Sequence, residues 1–176
     1  MDDREVEEII RLAGEGKQIS KICEEHFPEY DYYDTTVFLK RVKNLLPKYE
    51  PLFRQAAETV NIDWRLLAAV GYQESHWDPA ARSPTGVRGI MMLTQVTAQE
   101  LGVKDRLDPE QSVKGGSLYI RKILDRLPSF IPEEDRMWLA LAAYNVGGAH
   151  LADARKLAID LNKNPNRWHD IKSVLP

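Results

Sequence analysis

The sequence predicts an all-α protein. Apolar residues recur at the i, i+3, i+4, i+7 spacing of a helix face along most of the chain, between typical helix start and stop signals. No segment of any length alternates with the period of two that a half-buried strand requires. With 176 residues, 43% of them apolar, the chain is long enough for one well-buried core with an appended element.

Four helices are predicted before residue 61. The first ends at Gly14, the second ends before Pro28, and the third runs from a cap at Thr35 or Thr36 to a stop near Pro47. The fourth covers about residues 51–60. Their apolar faces are, in order, Val6, Ile9, Ile10 and Ala13; Ile19, Ile22, Cys23 and Phe27; Phe38, Val42, Leu45 and Leu46; and Leu52, Phe53, Ala56 and Ala57.

The next helix carries a carboxylate on an apolar face. Asp63 is a good N-cap, and Glu74 lies seven residues after Leu67 on the face that Leu66, Leu67, Val70 and Gly71 form. Burial and the negative end of the helix dipole both disfavour a charged carboxylate there, so we expect a raised pKa, which suits a general acid. The residues alone equally allow a structural role for Glu74, as a cap or in an ion pair with Arg82 or Arg88.

The remainder of the chain is predicted as a long loop and four helices. Turn residues mark the loop between 78 and 89, and the next helix has Asp108 as cap, Pro109 in its first turn and Gln111 as capping-box partner. Pro132 begins a further helix that ends within 144–148. Two shorter helices, about 149–161 and 166–172, close the chain.

The composition argues against several classes of function. The chain has 24 Lys and Arg against 27 Asp and Glu, a net charge of −3, so it lacks the basic excess typical of nucleic-acid binding. A single Cys23 and four scattered histidines predict neither a disulfide nor a metal site, and we expect no cofactor. No run reaches the roughly 18 to 20 apolar residues of a membrane-spanning helix, and no signal peptide is visible.

Two blocks of residues resemble known motifs. Residues 74–98, ESHWDPAARSPTGVRGIMMLTQVTA, resemble the pattern E-S-x-x-x-P-x-A-x-S-x-x-G-x-x-G-L-M-Q followed by T-A, which forms the first two motifs of the family 1 lytic transglycosylases, relatives of goose-type lysozyme. Residues 143–147, AYNVG, resemble the third motif, A-Y-N-x-G, and the separation of about 70 residues also fits. The resemblance implies a lysozyme-like, goose-type helical domain.

The resemblance also implies an activity on peptidoglycan. Family members cleave the β-1,4 bond between N-acetylmuramic acid and N-acetylglucosamine and leave a 1,6-anhydro ring on the muramic acid. Glu74 would serve as single general acid and base, with the C6 hydroxyl of the sugar as nucleophile. Tyr144 would donate a hydrogen bond towards Glu74, and Ser75 would bond near the acid. The substrate-binding residues that it implies are Ser75, Ser83, Gly89, Met91, Tyr144 and Asn145.

Alternatives remain open at the level of sequence. Asp78 is the nearest candidate for a second carboxylate, although it precedes Pro79 in a turn-forming position. Trp77 could stack on a sugar or pack in the core. A goose-type muramidase that uses water, a non-catalytic peptidoglycan-binding module and a plain helical scaffold are the competing functions.

The resemblance further implies a division of the chain and a location. Residues 1–34 carry a net charge of −7 and the remaining residues +4, so the N-terminal part of the chain is predicted to be a separate element. We expect residues 1–50 to be a helical extension, the tail of a solute-binding module plus a linker, and residues 51–176 to be a catalytic domain truncated at its C-terminus. Met92 stands where the broad family has Gln, and the family's terminal Y-V-x-x-I helix is missing. The expected location is the periplasm, with outer-membrane association of the full-length protein, and the expected partner is the peptidoglycan glycan strand.

Overall fold

The described part of the chain is helical. The computed structural model describes Arg11 and residues 32–175, and these residues contain no β-strand, only isolated bridges from Arg82 to Arg88 and from Arg88 to Leu93. The prediction of an all-α protein is confirmed. The two helices predicted within residues 1–28 fall outside the described residues. The chain divides into two compact units, Met1–Lys48 and Tyr49–Pro176.

Eight helices lie within residues 32–175. None of them is both long enough and apolar enough to cross a membrane. The helices are α1 (Tyr32–Asn44), α2 (Leu46–Val60), α3 (Trp64–Ser75), α4 (Gln95–Glu100), α5 (Pro109–Arg126), α6 (Glu133–Val146), α7 (Gly148–Asp160) and α8 (Trp168–Ile171).

The first two of these helices begin earlier than the sequence predicts. Thr35 and Thr36, taken as caps, lie inside α1. Helix α2 begins at Leu46, five residues before the predicted start, and Pro51 lies within it. Pro47 is acceptable there because a proline in the first turn has no intrahelical N–H partner to lose. The buried residues of α2 extend from Tyr49 through Phe53 and Ala56 to Val60, its last residue.

The region between residues 76 and 108 differs from prediction in two respects. The predicted long loop contains a short helix, α4, whose N-cap Thr94 accepts a hydrogen bond from the Thr97 N–H. Asp108 caps α5 as predicted, but Gln111 does not complete a capping box. Its side-chain oxygen accepts hydrogen bonds from the backbone N–H groups of Lys104 and Asp105 at 2.9 and 3.1 Å. Gln111 therefore stabilises the loop that leads into α5.

The core of the second unit is formed by helices and by one buried loop segment. Helix α5 packs against α6, α6 packs against α7, and α8 contacts both α6 and α7. Met91, fully buried, lies against Gly71 of α3 and Gly116 of α5. A Cβ added to Gly116 would lie 2.5 Å from the Met91 side chain, so glycine at this position makes room for the methionine.

The last helix is attached to α6 by polar and aromatic contacts. Asp135 of α6 accepts a hydrogen bond from the Trp168 N–H at 2.9 Å and forms an ion pair with Arg167 at 3.3 Å. The rings of Trp138 and Trp168 stack with centroids 5.9 Å apart. The last helix of the chain therefore packs against the first half of α6. The C-terminal end of α6 forms part of the site described next.

Candidate active site

Helix α3 carries Glu74 in its last turn. Asp63 caps the N-terminus of the helix, as the sequence predicts, and its carboxylate accepts a hydrogen bond from the Arg65 N–H at 2.8 Å. Glu74 is half-buried, and burial raises the pKa of its carboxyl group. Among the described residues no cation lies within ion-pair distance of Glu74, so the alternative ion pair with Arg82 or Arg88 is not formed.

The chain reverses direction directly after Glu74 and Ser75. His76 and Trp77 both adopt left-handed backbone conformations, with φ of 55° and 61°. Trp77 is buried, and its indole N–H donates to the Ala68 carbonyl at 2.8 Å. Trp77 therefore stabilises the end of α3 from within the core and does not face the pocket, which decides between its two predicted roles.

The loop after α3 is attached to the helix through Ser75. Its hydroxyl lies 2.9 Å from the Ile90 carbonyl and 3.2 Å from the Gly71 carbonyl, so it bonds a residue fifteen positions away. Across the loop, the Arg106 guanidinium donates to the carbonyls of Gly86 and Leu93 at 2.8 and 2.9 Å. Burial lowers the pKa of Arg106, and the nearby Arg88 charge adds to this effect. Helix α3 and Arg106 thus hold the loop from both sides.

Gly89 occupies the most crowded point of this loop. Its φ is 81°, and an added Cβ would lie 1.8 Å from the Arg106 carbonyl oxygen. The Met91 N–H donates to the buried Ser112 hydroxyl at 3.2 Å. Gly89 and Met91, predicted to bind substrate, are therefore both buried and form the support beneath the pocket.

Ser83 organises a turn at the edge of the pocket. Its hydroxyl lies 2.7 Å from the Thr85 hydroxyl and accepts a hydrogen bond from the Val87 N–H at 3.2 Å. Thr85 and Val87 line the pocket, whereas Ser83 does not. Gly86, with a φ of 87°, lets the chain turn between them.

Tyr144 joins α6 to the loop. The sequence led us to expect its hydroxyl to donate towards Glu74, and this expectation is wrong: the hydroxyl donates to the Met91 carbonyl at 2.6 Å. Burial raises the pKa of Tyr144 well above its ordinary value, with smaller electrostatic contributions from the negative charge of Glu74 and from the neighbouring Tyr119. Tyr144 therefore remains a hydrogen-bond donor, and its ring contacts that of Tyr119 at 5.6 Å between centroids.

These elements enclose an open pocket of about 430 Å³ beside Glu74, hereafter the Glu74 pocket. Three of the seven predicted site residues line it: Glu74, Tyr144 and Asn145. Its remaining lining residues are Thr85, Val87, Met92, Leu93, Thr94, Thr97, Tyr119, Val146 and Gly147. Glu74 is the one carboxylate among these residues, and hydroxyl and amide groups supply the other polar contacts a ligand would meet.

Several of these lining residues were not predicted. Tyr119 lies beside Ile120 on α5, and nothing in its sequence context marks it as different from an ordinary core aromatic. Thr94 could have been found, because a threonine before a short helix is a recognisable cap. Met92, which stands where the broad family has Gln, lines the pocket with a φ of 45°.

Asp78 does not provide a second carboxylate. Its side chain accepts a hydrogen bond from the Ala80 N–H at 2.8 Å, the turn-forming role that its position before proline indicates. It is exposed and does not line the Glu74 pocket. Within residues 32–175 no group of three or more His, Cys, Asp or Glu side chains is arranged to hold a metal ion. A single carboxylate and several neutral polar side chains are the polar groups among the described residues that line this pocket.

The helical fold agrees with what the comparison with known proteins finds. The transglycosylase SLT domain family matches residues 51–166, and the chain belongs to this family, which has a lysozyme-like helical fold. It is 53% identical over 166 residues to a membrane-bound lytic murein transglycosylase F from Shewanella sp. (strain ANA-3). It is also 58% and 56% identical, each over 151 residues, to proteins of the same name from Shewanella pealeana and Yersinia enterocolitica.

The alignments cover most of this chain and a minor part of each relative. They include 94% of the chain for the first relative and 86% for the other two, but only 34% and 31% of the relatives' own lengths. The chain thus spans about one third of the length of the curated relatives that it matches.

Proposed function

We propose that this chain is a peptidoglycan lytic transglycosylase domain that cleaves the bond between N-acetylmuramic acid and N-acetylglucosamine and forms a 1,6-anhydro product. The observation that carries the proposal is Glu74, a half-buried carboxylate with a raised pKa that lines the pocket without an ion-pair partner among the described residues. Membership of the SLT domain family and the name shared by the relatives support the same activity.

The mechanism follows from the presence of one carboxylate. A glycosidase that uses water or forms a covalent intermediate employs two carboxyl groups, and the pocket has only Glu74 among its described lining residues. In our proposal, protonated Glu74 donates its proton to the leaving glycosidic oxygen as the bond to the anomeric carbon breaks. The resulting carboxylate then accepts the proton of the C6 hydroxyl as that oxygen bonds to the anomeric carbon. Glu74 is thereby reprotonated, and no water is consumed.

The other residues of the pocket position the sugar. Asn145 is exposed at the pocket wall and offers both a donor and an acceptor to a glycan. Ser75, Gly89 and Met91 act through the loop, because their hydrogen bonds and packing fix the backbone that carries Met92 and Leu93 into the wall. Ser83 does the same for Thr85 and Val87.

The test is the Glu74→Gln variant with purified sacculi as substrate. Loss of a positioned proton donor reduces the rate by about 10²- to 10⁴-fold, so release of anhydro-muropeptides should fall by at least that factor while the fold is retained. Mass spectrometry separates the competing functions, because a muramidase product is one water heavier. Full activity in the variant would refute the role of Glu74, and sacculus binding without turnover by the unaltered protein would favour a binding module.

The chain's surroundings in the whole protein belong to the same proposal. We take residues 1–50 as the tail of a preceding solute-binding module with its linker, and residues 51–176 as the catalytic domain. The name of the relatives, which describes them as membrane-bound, supports a position in the cell envelope. We propose the periplasm, with attachment to the outer membrane by parts of the protein outside this chain.

A further inference from the structure

A second pocket, of about 310 Å³, lies beside the Glu74 pocket. Tyr119 lines both pockets. Neighbouring residues of one chain segment also divide between them: Tyr144 and Gly147 face the Glu74 pocket, and Ala143 and Gly148 face the second. A strand bound at Glu74 would therefore have this second pocket immediately beside it, across the Tyr119 ring.

The second pocket combines an apolar floor with two arginines, and we call it the arginine pocket. The apolar part is formed by Ile123, Leu127, Ala143, Leu151 and Ala152. The cations are Arg126 and Arg155, and no acidic residue is among the described lining residues. Such a lining favours a ligand that has both small apolar groups and negative charge.

The charge of Arg155 is oriented but not neutralised. Its Nε and Nη2 atoms donate to the Pro165 carbonyl at 3.0 Å and to the Asn166 side-chain oxygen at 2.7 Å, both uncharged acceptors. These bonds fix the guanidinium in place while its positive charge remains available at the pocket.

Arg126 likewise has no ion-pair partner among the described residues. Its charge contributes to lowering the pKa of Glu100, but Glu100 is already ion-paired with Lys122. Lys122 lowers the pKa of Glu100, and Arg126 makes a smaller contribution. Arg121, one turn earlier on α5, differs in this respect because it is paired with Asp125 at 2.7 Å.

We propose that the arginine pocket binds the stem peptide of the peptidoglycan strand whose sugars occupy the Glu74 pocket. A stem peptide carries alanine methyl groups for the apolar floor and free carboxylates for Arg126 and Arg155. This proposal rests on the proposed function, and it adds that the domain recognises the peptide as well as the glycan. Strands that retain their peptides are then better substrates than strands from which the peptides have been removed.

The first test measures binding without catalysis. A free alanine- and glutamate-containing stem tetrapeptide is titrated into the Glu74→Gln protein by calorimetry, beside an analogue whose carboxylates are converted to amides. We expect Arg126→Gln to weaken binding of the acidic peptide about five-fold, whereas Arg121→Gln, the matched loss of charge on the same helix, leaves it unchanged. Ala152→Glu, a new acid at an exposed position of the pocket, should weaken binding at least as much. Equal binding of the amidated peptide, or equal effects of the two arginine variants, would overturn the proposal.

The second test measures turnover of intact and peptide-stripped glycan strands by the protein with Glu74 present. We expect KM for intact strands to rise about five-fold in Arg126→Gln while kcat/KM for stripped strands stays the same. If the protein releases no anhydro product at all, the proposed function fails, but the calorimetric result still decides the peptide site. A dimer in sedimentation that Arg126→Gln dissociates would assign the pocket to a second copy of the chain and overturn the peptide proposal.

Discussion

At the scale of single residues, Glu74 and Tyr144 show two different effects of burial. Burial raises the pKa of both side chains. For Glu74 it disfavours the charged carboxylate, which is the ordinary form of a glutamate at neutral pH, whereas Tyr144 keeps the neutral form that is ordinary for a tyrosine. The half-buried carboxyl group of Glu74 thus lowers the stability of the folded protein, and its raised pKa is what the proposed general acid requires. Tyr144 is a stable donor to the Met91 carbonyl. The two residues stand side by side in the same pocket.

The destabilising effect of the half-buried Glu74 carboxyl group should appear in the pH dependence of the free energy of unfolding. A carboxyl group whose pKa is higher in the folded state binds more protons there, so the free energy of unfolding falls as pH rises from the ordinary glutamate value to the raised one. Glu74→Gln removes this loss and should therefore be more stable than the unaltered protein at neutral pH. The difference should vanish below the ordinary pKa. Urea unfolding at several pH values measures it, with Glu58→Gln on the exposed side of α2 as control, and a pH-independent difference would contradict the expectation.

Removing the Tyr144 hydroxyl should weaken the fold by a measurable amount. In Tyr144→Phe the Met91 carbonyl loses its donor, which costs about 1 to 3 kcal/mol for a buried acceptor. Tyr119→Phe is the matched control, because no hydrogen bond involves the Tyr119 hydroxyl among the described residues. Denaturant midpoints give both values, and equal midpoints for the two variants would mean that the bond to Met91 contributes nothing.

At the scale of elements, the loop from Ala81 to Leu93 ends in a buried segment that is part of the core. Ile90, Met91 and Leu93 are buried, and hydrogen bonds with Ser75, Ser112 and Arg106 hold the loop to three other parts of the chain. These contacts fix the positions of the groups that line the pocket. A loop supported in this way can present a pocket wall with little loss of conformational entropy on binding.

Gly89 is the position of this loop at which we expect a substitution to be least tolerated. Gly89→Ala places a Cβ 1.8 Å from a backbone oxygen in addition to the cost of its positive φ, so we expect a loss of about 3 kcal/mol or more. Gly86→Ala has a similar φ but no atom within 4 Å of its Cβ, and should lose about 1 kcal/mol. Chemical denaturation of the two variants separates crowding from backbone conformation. Equal losses would show that crowding at Gly89 has no effect.

Local chemistry explains which elements could be predicted from the sequence. Asp63, Asp108 and Pro132 mark helix starts because a cap or first-turn residue acts on its own neighbours. Gln111 was assigned to its own helix but bonds the preceding loop, and Tyr144 bonds a residue 53 positions away. The hydrogen-bond partner of such a side chain depends on which distant group the folded chain brings within bonding distance. The resemblance to family motifs located Gly89 and Met91 near the site, but it could not tell that they lie beneath the pocket surface.

At the scale of the whole molecule, the described hydrophobic core begins at Tyr49. Every buried apolar residue of the described chain lies between Tyr49 and Ile171, within the second compact unit. The family match, residues 51–166, falls inside the same unit. This unit therefore has the size and the core that an independently folding domain needs.

A chain that starts at Leu45 tests whether this unit folds by itself. It keeps the whole of α2, and we expect one cooperative transition with the melting temperature that the full chain shows for the same unit. Differential scanning calorimetry and release of anhydro product are measured in parallel. A melting temperature lowered by more than a few degrees would mean that residues 1–44 stabilise the core.

The hydrogen bond between Tyr144 and Met91 has a consequence for how the protein folds. It joins segments far apart in sequence, and the pocket between them does not exist until α6 has docked on the loop after α3. Closing such long segments costs more entropy than forming the local turns and helices, so contacts of this kind tend to form late. During synthesis, the chain must therefore extend beyond residue 147 before its pocket can form, and a nascent chain shorter than this has no wall opposite Glu74.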